Sequence, residues 1–252
     1  ALAMVYTQYL RKIPCQITHA PTGEEALNAI SAEAPDLILL DLQLPDMNGL
    51  AVLTEVKRLR LPSAVIVVTA HGSMDIAVEI MRDLRDEAKE TVLIGTLVGN
   101  KGVVLEQVPS SYEIKFTIDV GHIFLPHTAA PGKAMLAYLP QQERDRIVNE
   151  MEYRRYNSKT ITNPRSMKEC LAEVQIRGYA VDSAERIEGL HGVASPVFNH
   201  WGYPIAAIWI TGPAFRMPEC GFGELGEIVK KHAYRVSARL GWNPDQLKMT
   251  AG

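Results

Sequence analysis

The stretch ETVLIGTLVGNKGVVLEQV, Glu90 to Val108, holds two extended segments, Thr91 to Leu97 and Lys101 to Val108, joined at Gly99-Asn100. β-branched and aliphatic residues on either side of a dipeptide that tolerates left-handed backbone predict a hairpin in an antiparallel sheet. Toward the C-terminus, helical patterns follow at Gly132 to Leu139, Gln141 to Met151 and Asn163 to Arg177. A second strand pair, Gly189 to Asn199 and Ile205 to Thr211, flanks His200-Trp201-Gly202, and an amphipathic helix, Gly223 to Leu240, closes the chain. Strand pairs alternating with helix groups imply an α/β domain with a helix-flanked antiparallel sheet.

Upstream of Glu90 the pattern changes. Met4 to Lys12, Glu24 to Ala32, Leu50 to Leu59 and Met74 to Arg82 look helical, whereas Gln16 to His19, Leu37 to Asp41 and Ala64 to Ala70 look extended. Strands alternating with helices imply βαβ crossovers and a parallel sheet, with Leu37 to Leu40 apolar on both faces like a buried strand. No Gly/Pro/Ser-rich seam separates the two styles. Ala77, Met81, Leu84 and Ala88 keep one helical face in phase, so the join is expected inside a helix from about Ser73 to Glu90.

Composition narrows the function. The 252 residues carry 26 basic and 29 acidic side chains, a net charge of −3 with no basic stripe, so direct DNA binding is not expected of this chain. Cys15, Cys170 and Cys220 form no CxxC pattern, which argues against a disulfide framework and for a reducing cytoplasm. Apolar runs stay far below the ~20 residues a bilayer requires, and no basic-then-apolar leader opens the sequence, so a soluble protein without membrane contact is expected. The seven histidines lack metal-ligand spacing, and no metal site is expected. GxSxG, GxxxxGK[ST], HExxH and a dinucleotide fingerprint are all missing, so neither an enzyme nor a cofactor is expected.

Three motifs carry a resemblance to a known family: Glu90 to Val108, LPHTAAPGKAMLAYLP at Leu125 to Pro140, and RGYAVDSAERIEGLHGVASPVFNHWGYPIAAIWITGP at Arg177 to Pro213. Together they resemble the effector-binding domain of IclR-type bacterial transcription regulators. That resemblance implies a GAF-like α/β fold with a curved antiparallel sheet over residues 83–252, a small carboxylate-bearing metabolite as ligand, and a homo-oligomer. It also implies a pocket lined by Ala130, Pro131, Asp182, Leu190, Gly192, Trp209 and Thr211. A helix starting near Gly132 would offer N–H groups and partial positive charge to an anion, although Pro131 removes one donor. Trp209 reads either as a stacking surface or as core filler, Asp182 either as a pocket residue or as a turn cap, and Lys133 as a solvated lysine on a helix face.

PDLILLDLQLPDMNG at Pro35 to Gly49 and VIVVTAHGS at Val65 to Ser73 resemble the receiver domain of two-component response regulators, over residues 1–82. The resemblance implies a flavodoxin-like parallel sheet, Asp41 as phosphoacceptor and Thr69 as a phosphate hydrogen-bond donor. The acidic pair that holds Mg²⁺ in that family, the strand that carries it, and the fifth strand with its lysine have no counterpart here. The fragment is therefore expected to be incomplete, with Mg²⁺ relevant only if it functions. The winged helix-turn-helix that ordinarily precedes an IclR-type sensor likewise has no counterpart. The sequence reads as a metabolite sensor joined through a helix to a receiver fragment; a phosphorylation-switched module acting through Asp41, or an engineered chimera without native function, are the alternatives.

Overall fold

The computed structural model describes residues 10, 13–41, 44–47, 49–59, 61, 63–68 and 71–244. The chain divides into two compact units, Ala1–Asp75 and Ile76–Gly252. Met4 to Lys12, apart from Leu10, and Thr69 lie outside the described residues.

In the first unit, helix α1 (Gly23–Ala32) starts at Thr22, whose hydroxyl accepts from Glu25 N at 3.2 Å. The Asp46 carboxylate accepts from Gly23 N at 2.8 Å and Glu24 N at 3.0 Å, and these two bonds hold its pKa below the usual carboxylate value. Strands β1 (Leu37–Asp41) and β2 (Ala64–Val68) pair in parallel, Leu37 opposite Ala64 and Asp41 opposite Val68, with α2 (Gly49–Arg58) as the crossover. Ile30, Leu40, Val52 and Val56 form the core.

Two expectations fail here. Leu37 and Leu39 on β1 and Ile66 on β2 are 45%, 36% and 51% exposed, so this strand pair is covered on one face only. The core-forming α1 and α2 lie against the face bearing Leu40, and the opposite face keeps its leucines in contact with solvent. Gln16 to His19 forms no strand, since no described strand lies beside it to share its backbone hydrogen bonds.

Helix α3 (His71–Ala88) is unbroken, and the division between the units falls within it, at Asp75 and Ile76. Its apolar face buries Ala77, Ile80, Met81 and Leu84.

The second unit follows as β3 (Thr91–Val98), β4 (Lys101–Val108), β5 (Ile123–Phe124), a 3₁₀ turn (Pro126–Thr128), α4 (Ala130–Tyr138), α5 (Gln141–Glu150) and α6 (Pro164–Arg177). The chain then runs through β6 (Ala180–Ser183), β7 (Leu190–Phe198), β8 (Pro204–Pro213), a second 3₁₀ turn (Glu219–Gly221) and α7 (Phe222–Arg239). The six strands form one antiparallel sheet in the order β5-β4-β3-β8-β7-β6. Irregularities at Ile94/Gly95 and Val197/Phe198 bend it, as bulges do, into the curled sheet expected. The hairpin turn has Gly99 at φ +63°, the backbone that Gly-Asn anticipates.

Helix α4 packs against β3, β7 and β8, and α7 packs against β7 and β8. Sandwiched in this way, every residue of β7 is buried. The core on the α4 side gathers Leu93, Val104, Leu136, Met167, Leu171 and Trp209. Among the described residues no helix is long and apolar enough to cross a membrane.

Candidate functional site

On the side of the sheet that α4 covers, cross-strand register lines up Asp182 of β6, Gly192 of β7 and Thr211 of β8. Directly opposed residues of antiparallel strands project to the same face, so these three share one surface. A Cβ on Gly192 would lie 3.5 Å from Ile210 O, 3.7 Å from Asp182 Cβ and 3.9 Å from Ala130 Cβ. The start of α4 therefore sits over Gly192, with Asp182 at its side. Pro131 is buried next to Ala130, and Leu190, two residues before Gly192, is buried on the same face.

Thr211 donates its hydroxyl to His191 O at 3.1 Å, which leaves its oxygen to act as an acceptor. Trp209 shares the face of Thr211 by alternation, but its ring leads elsewhere. It meets Phe124 edge-on at 5.8 Å between centroids, and two of its ring carbons lie 3.1 Å from where a Gly95 Cβ would be. Glycine at 95 leaves the room the indole occupies, and Trp209 joins the core there, away from Gly192. The structure thus brings Ala130, Asp182 and Gly192 together, with Pro131, Leu190 and Thr211 adjoining, and directs Trp209 into the packing against β3 and β5.

The first turn of α4 is buried, and no side chain caps it: the N-cap is Ala129 and Pro131 has no N–H. Buried helix termini ordinarily satisfy their free N–H groups with a side chain, water or a bound anion.

Close by lies a buried charge cluster that sequence reasoning missed. Lys133, expected in solvent, has only 1% of its side chain exposed and is ion-paired with Glu185. Glu185 Oε2 is buried with no hydrogen-bond partner. Glu185 N donates to Asp182 Oδ1 at 2.9 Å, so Asp182 caps a turn as well as bordering the site. Asn157 Nδ2 donates to Ala184 O at 2.7 Å and the Thr160 hydroxyl to Glu185 O at 2.7 Å, fixing that turn, where Ala184 has φ +62°. His127, in the 3₁₀ turn before α4, is fully buried, with Nε2 on Arg154 O at 3.0 Å and Nδ1 without a partner; burial pushes its pKa down. Burial also raises the Asp182 pKa to about 6; Glu185 pushes the same way, while Lys133, the Glu185 N–H and His191 oppose. The available signal was in α4 itself: a lone lysine in a helix that is otherwise small and apolar on every side marks a buried helix.

Asp41 ends β1 at its C-terminal edge, half-buried. Among the described residues no three His, Cys, Asp or Glu side chains are grouped to hold a metal ion.

Residues 66–238 match the family profile described as "Bacterial transcriptional regulator IclR C-terminal". The chain belongs to the IclR family. Residues 1–87 match the response regulator receiver domain, and the two matches overlap over residues 66–87, which include all of α3 but its last residue. The chain is 31% identical over 163 residues to the HTH-type transcriptional regulator KdgR of Escherichia coli K12, covering 65% of this chain and 62% of KdgR. It is 30% identical over 166 residues to BhcR of Paracoccus denitrificans, covering 66% and 60%. The chain thus spans 60–62% of the length of these relatives. Among solved structures, the C-terminal domain of E. coli KdgR superposes with a TM-score of 0.62 at 29% identity, over 68% of this chain and all of that domain. The Thermotoga maritima IclR superposes with a TM-score of 0.65 at 24% identity, over 96% of this chain and 98% of that one, a likeness of fold.

Proposed function

We propose that the second unit senses a small organic acid and thereby regulates transcription, with the acid group at the start of α4 and the rest of the ligand over Gly192, between Asp182 and Leu190. One observation carries this reading: a buried, uncapped helix N-terminus converges on a glycine at which an added Cβ would meet its neighbours only at 3.5–3.9 Å. Membership of the IclR family supports it. In this reading the chain binds its effector without chemical conversion, needs no cofactor, acts in the cytoplasm as a homo-oligomer, and makes no sequence-selective DNA contact of its own.

A thermal-shift screen over small carboxylic acids, with matched alcohols and amines as controls, tests it. An acid at a hundred times its dissociation constant stabilises the native state by about 2.7 kcal/mol, a rise of several degrees in Tm. Acids that shift Tm no more than their controls do would sink the proposal.

A further inference from the structure

The acid-sensing site already holds a negative charge in excess. Lys133 on α4 is neutralised by Glu185 in the turn after β6, and Asp182 on β6 adds a second carboxylate beside that pair. An entering carboxylate would make two uncompensated anions in a largely buried region, where like charges repel more strongly than in water. The N-terminus of α4 supplies only about half a unit of opposing charge.

Resting on the acid-sensing reading, we propose that the site takes up one proton, on Asp182, when it binds a carboxylate, so that the species recognised is the anion together with a proton. The proton comes from solvent and goes to the oxygen of Asp182 that the Glu185 N–H does not hold. Protonated, Asp182 becomes a hydrogen-bond donor toward the ligand and ceases to repel it. The same pairing of a neutral and an ionised carboxyl is what two acid groups in one site adopt in general, because both cannot ionise cheaply.

The surroundings make Asp182 the group that yields. Lys133 and Glu185 are paired with each other, and His127, from the 3₁₀ turn before α4, lies where burial favours its neutral form. His191 on β7 has Nδ1 2.8 Å from Met217 O and its ring against Phe222. Lys159 and Glu219 neutralise each other at 3.0 Å beside Ser183. Asp182 has its titration already pushed up to about 6 in the free protein, and a neighbouring anion, acting in the same direction, raises it far enough to keep it protonated through neutral pH.

Calorimetry of the full chain with lactate, pyruvate, acetate and benzoate, in buffers of low and high ionisation enthalpy at pH 7, reads proton uptake directly. The expected result for the acids that bind is uptake approaching one proton, and a Kd that weakens about fifty-fold between pH 6 and pH 8 by linkage. Asp182→Asn, which keeps the shape of the neutral acid and an oxygen for the Glu185 N–H, is expected to bind with the low-pH affinity at every pH and with no proton uptake. Saturable binding whose Kd and proton count do not change with pH overturns the proton uptake and leaves the acid-sensing reading standing. A pH dependence that persists in Asp182→Asn assigns the proton elsewhere and also overturns it, and no saturable binding by any of the four acids overturns both.

Discussion

Lys133 and Glu185, 52 residues apart in sequence, meet as an ion pair inside the second unit, with 1% of the lysine side chain and 11% of the glutamate side chain exposed. Such a pair contributes little net stability, because two ions must leave water to form it, yet breaking it strands one charge in the interior. Lys133→Met is therefore expected to cost about 3–5 kcal/mol in urea denaturation. Lys133→Met combined with Glu185→Leu should recover most of that loss. A single variant as stable as the parent would mean that Glu185 reaches water without its partner.

Asp182 has its own signature in stability against pH. Its pKa rises from 3.8 in the open chain to about 6 in the fold, so the folded state holds the proton more tightly. Stability from this group is present below pH 3.8 and is lost as pH climbs through about 6, beyond which the loss is constant. Asp182→Asn removes the penalty. Its stability relative to the parent should grow across that window to a plateau of about 2 kcal/mol, discounted for the residue's solvent edge. Urea titrations of both proteins at a series of pH values give the difference curve, and a curve that falls with rising pH would reverse the assignment.

Asp41 carries the local motif of a phosphoacceptor but is expected to label only substoichiometrically with acetyl phosphate and Mg²⁺. Phosphoryl transfer to a carboxylate is catalysed by positioning and by cations that neutralise the moving oxygens. Asp46, the second acid of the same motif, is occupied in capping α1 through Gly23 N and Glu24 N. Mass spectrometry against an Asp41→Asn control decides; one phosphoryl group per chain that disappears in the control would show a working receiver.

Features encoded locally were legible in the sequence, and those set by distant partners were not. The β3–β4 hairpin followed from Gly99-Asn100, and α6 from its Asn163 cap, which accepts from Ser166 N, and its Gly178 terminator at φ +83°. β6, four residues with a polar centre, became a strand only through pairing with β7, and β5, two residues long, only through β4. At the site, alternation placed Trp209 and Thr211 on one face, but the direction of the indole depends on the space left by Gly95 on a neighbouring strand. The burial of Lys133 depends on a glutamate that lies beyond two helices and a strand in the chain, a pairing that no local pattern announces.

Gly132 and Gly192 border the same site, and the space around them predicts opposite outcomes for the same substitution. A Cβ on Gly132 would fall 2.3 Å from Pro126 Cα and 2.6 Å from Pro126 O, backbone atoms of the 3₁₀ turn that cannot rotate away. Gly132→Ala must push α4 off that turn and is expected to cost about 1–3 kcal/mol. At Gly192 the nearest atoms stand at 3.5, 3.7 and 3.9 Å, ordinary contact distances, and its backbone is not among the positive-φ glycines. Gly192→Ala should leave the fold as stable or raise it by about 0.4–1 kcal/mol through the lower entropy of the unfolded chain. The methyl group would nevertheless occupy the space between Ala130 and Asp182, so acid binding should weaken while stability holds, and Gly192→Leu, reaching past both Cβ atoms, should abolish it. Thermal denaturation and calorimetry on the three variants separate the two effects. A neutral Gly132→Ala would mean that α4 does not abut Pro126, and a Gly192→Leu that folds and still binds acids at the parent's affinity would place the ligand away from the Asp182–Gly192–Thr211 row.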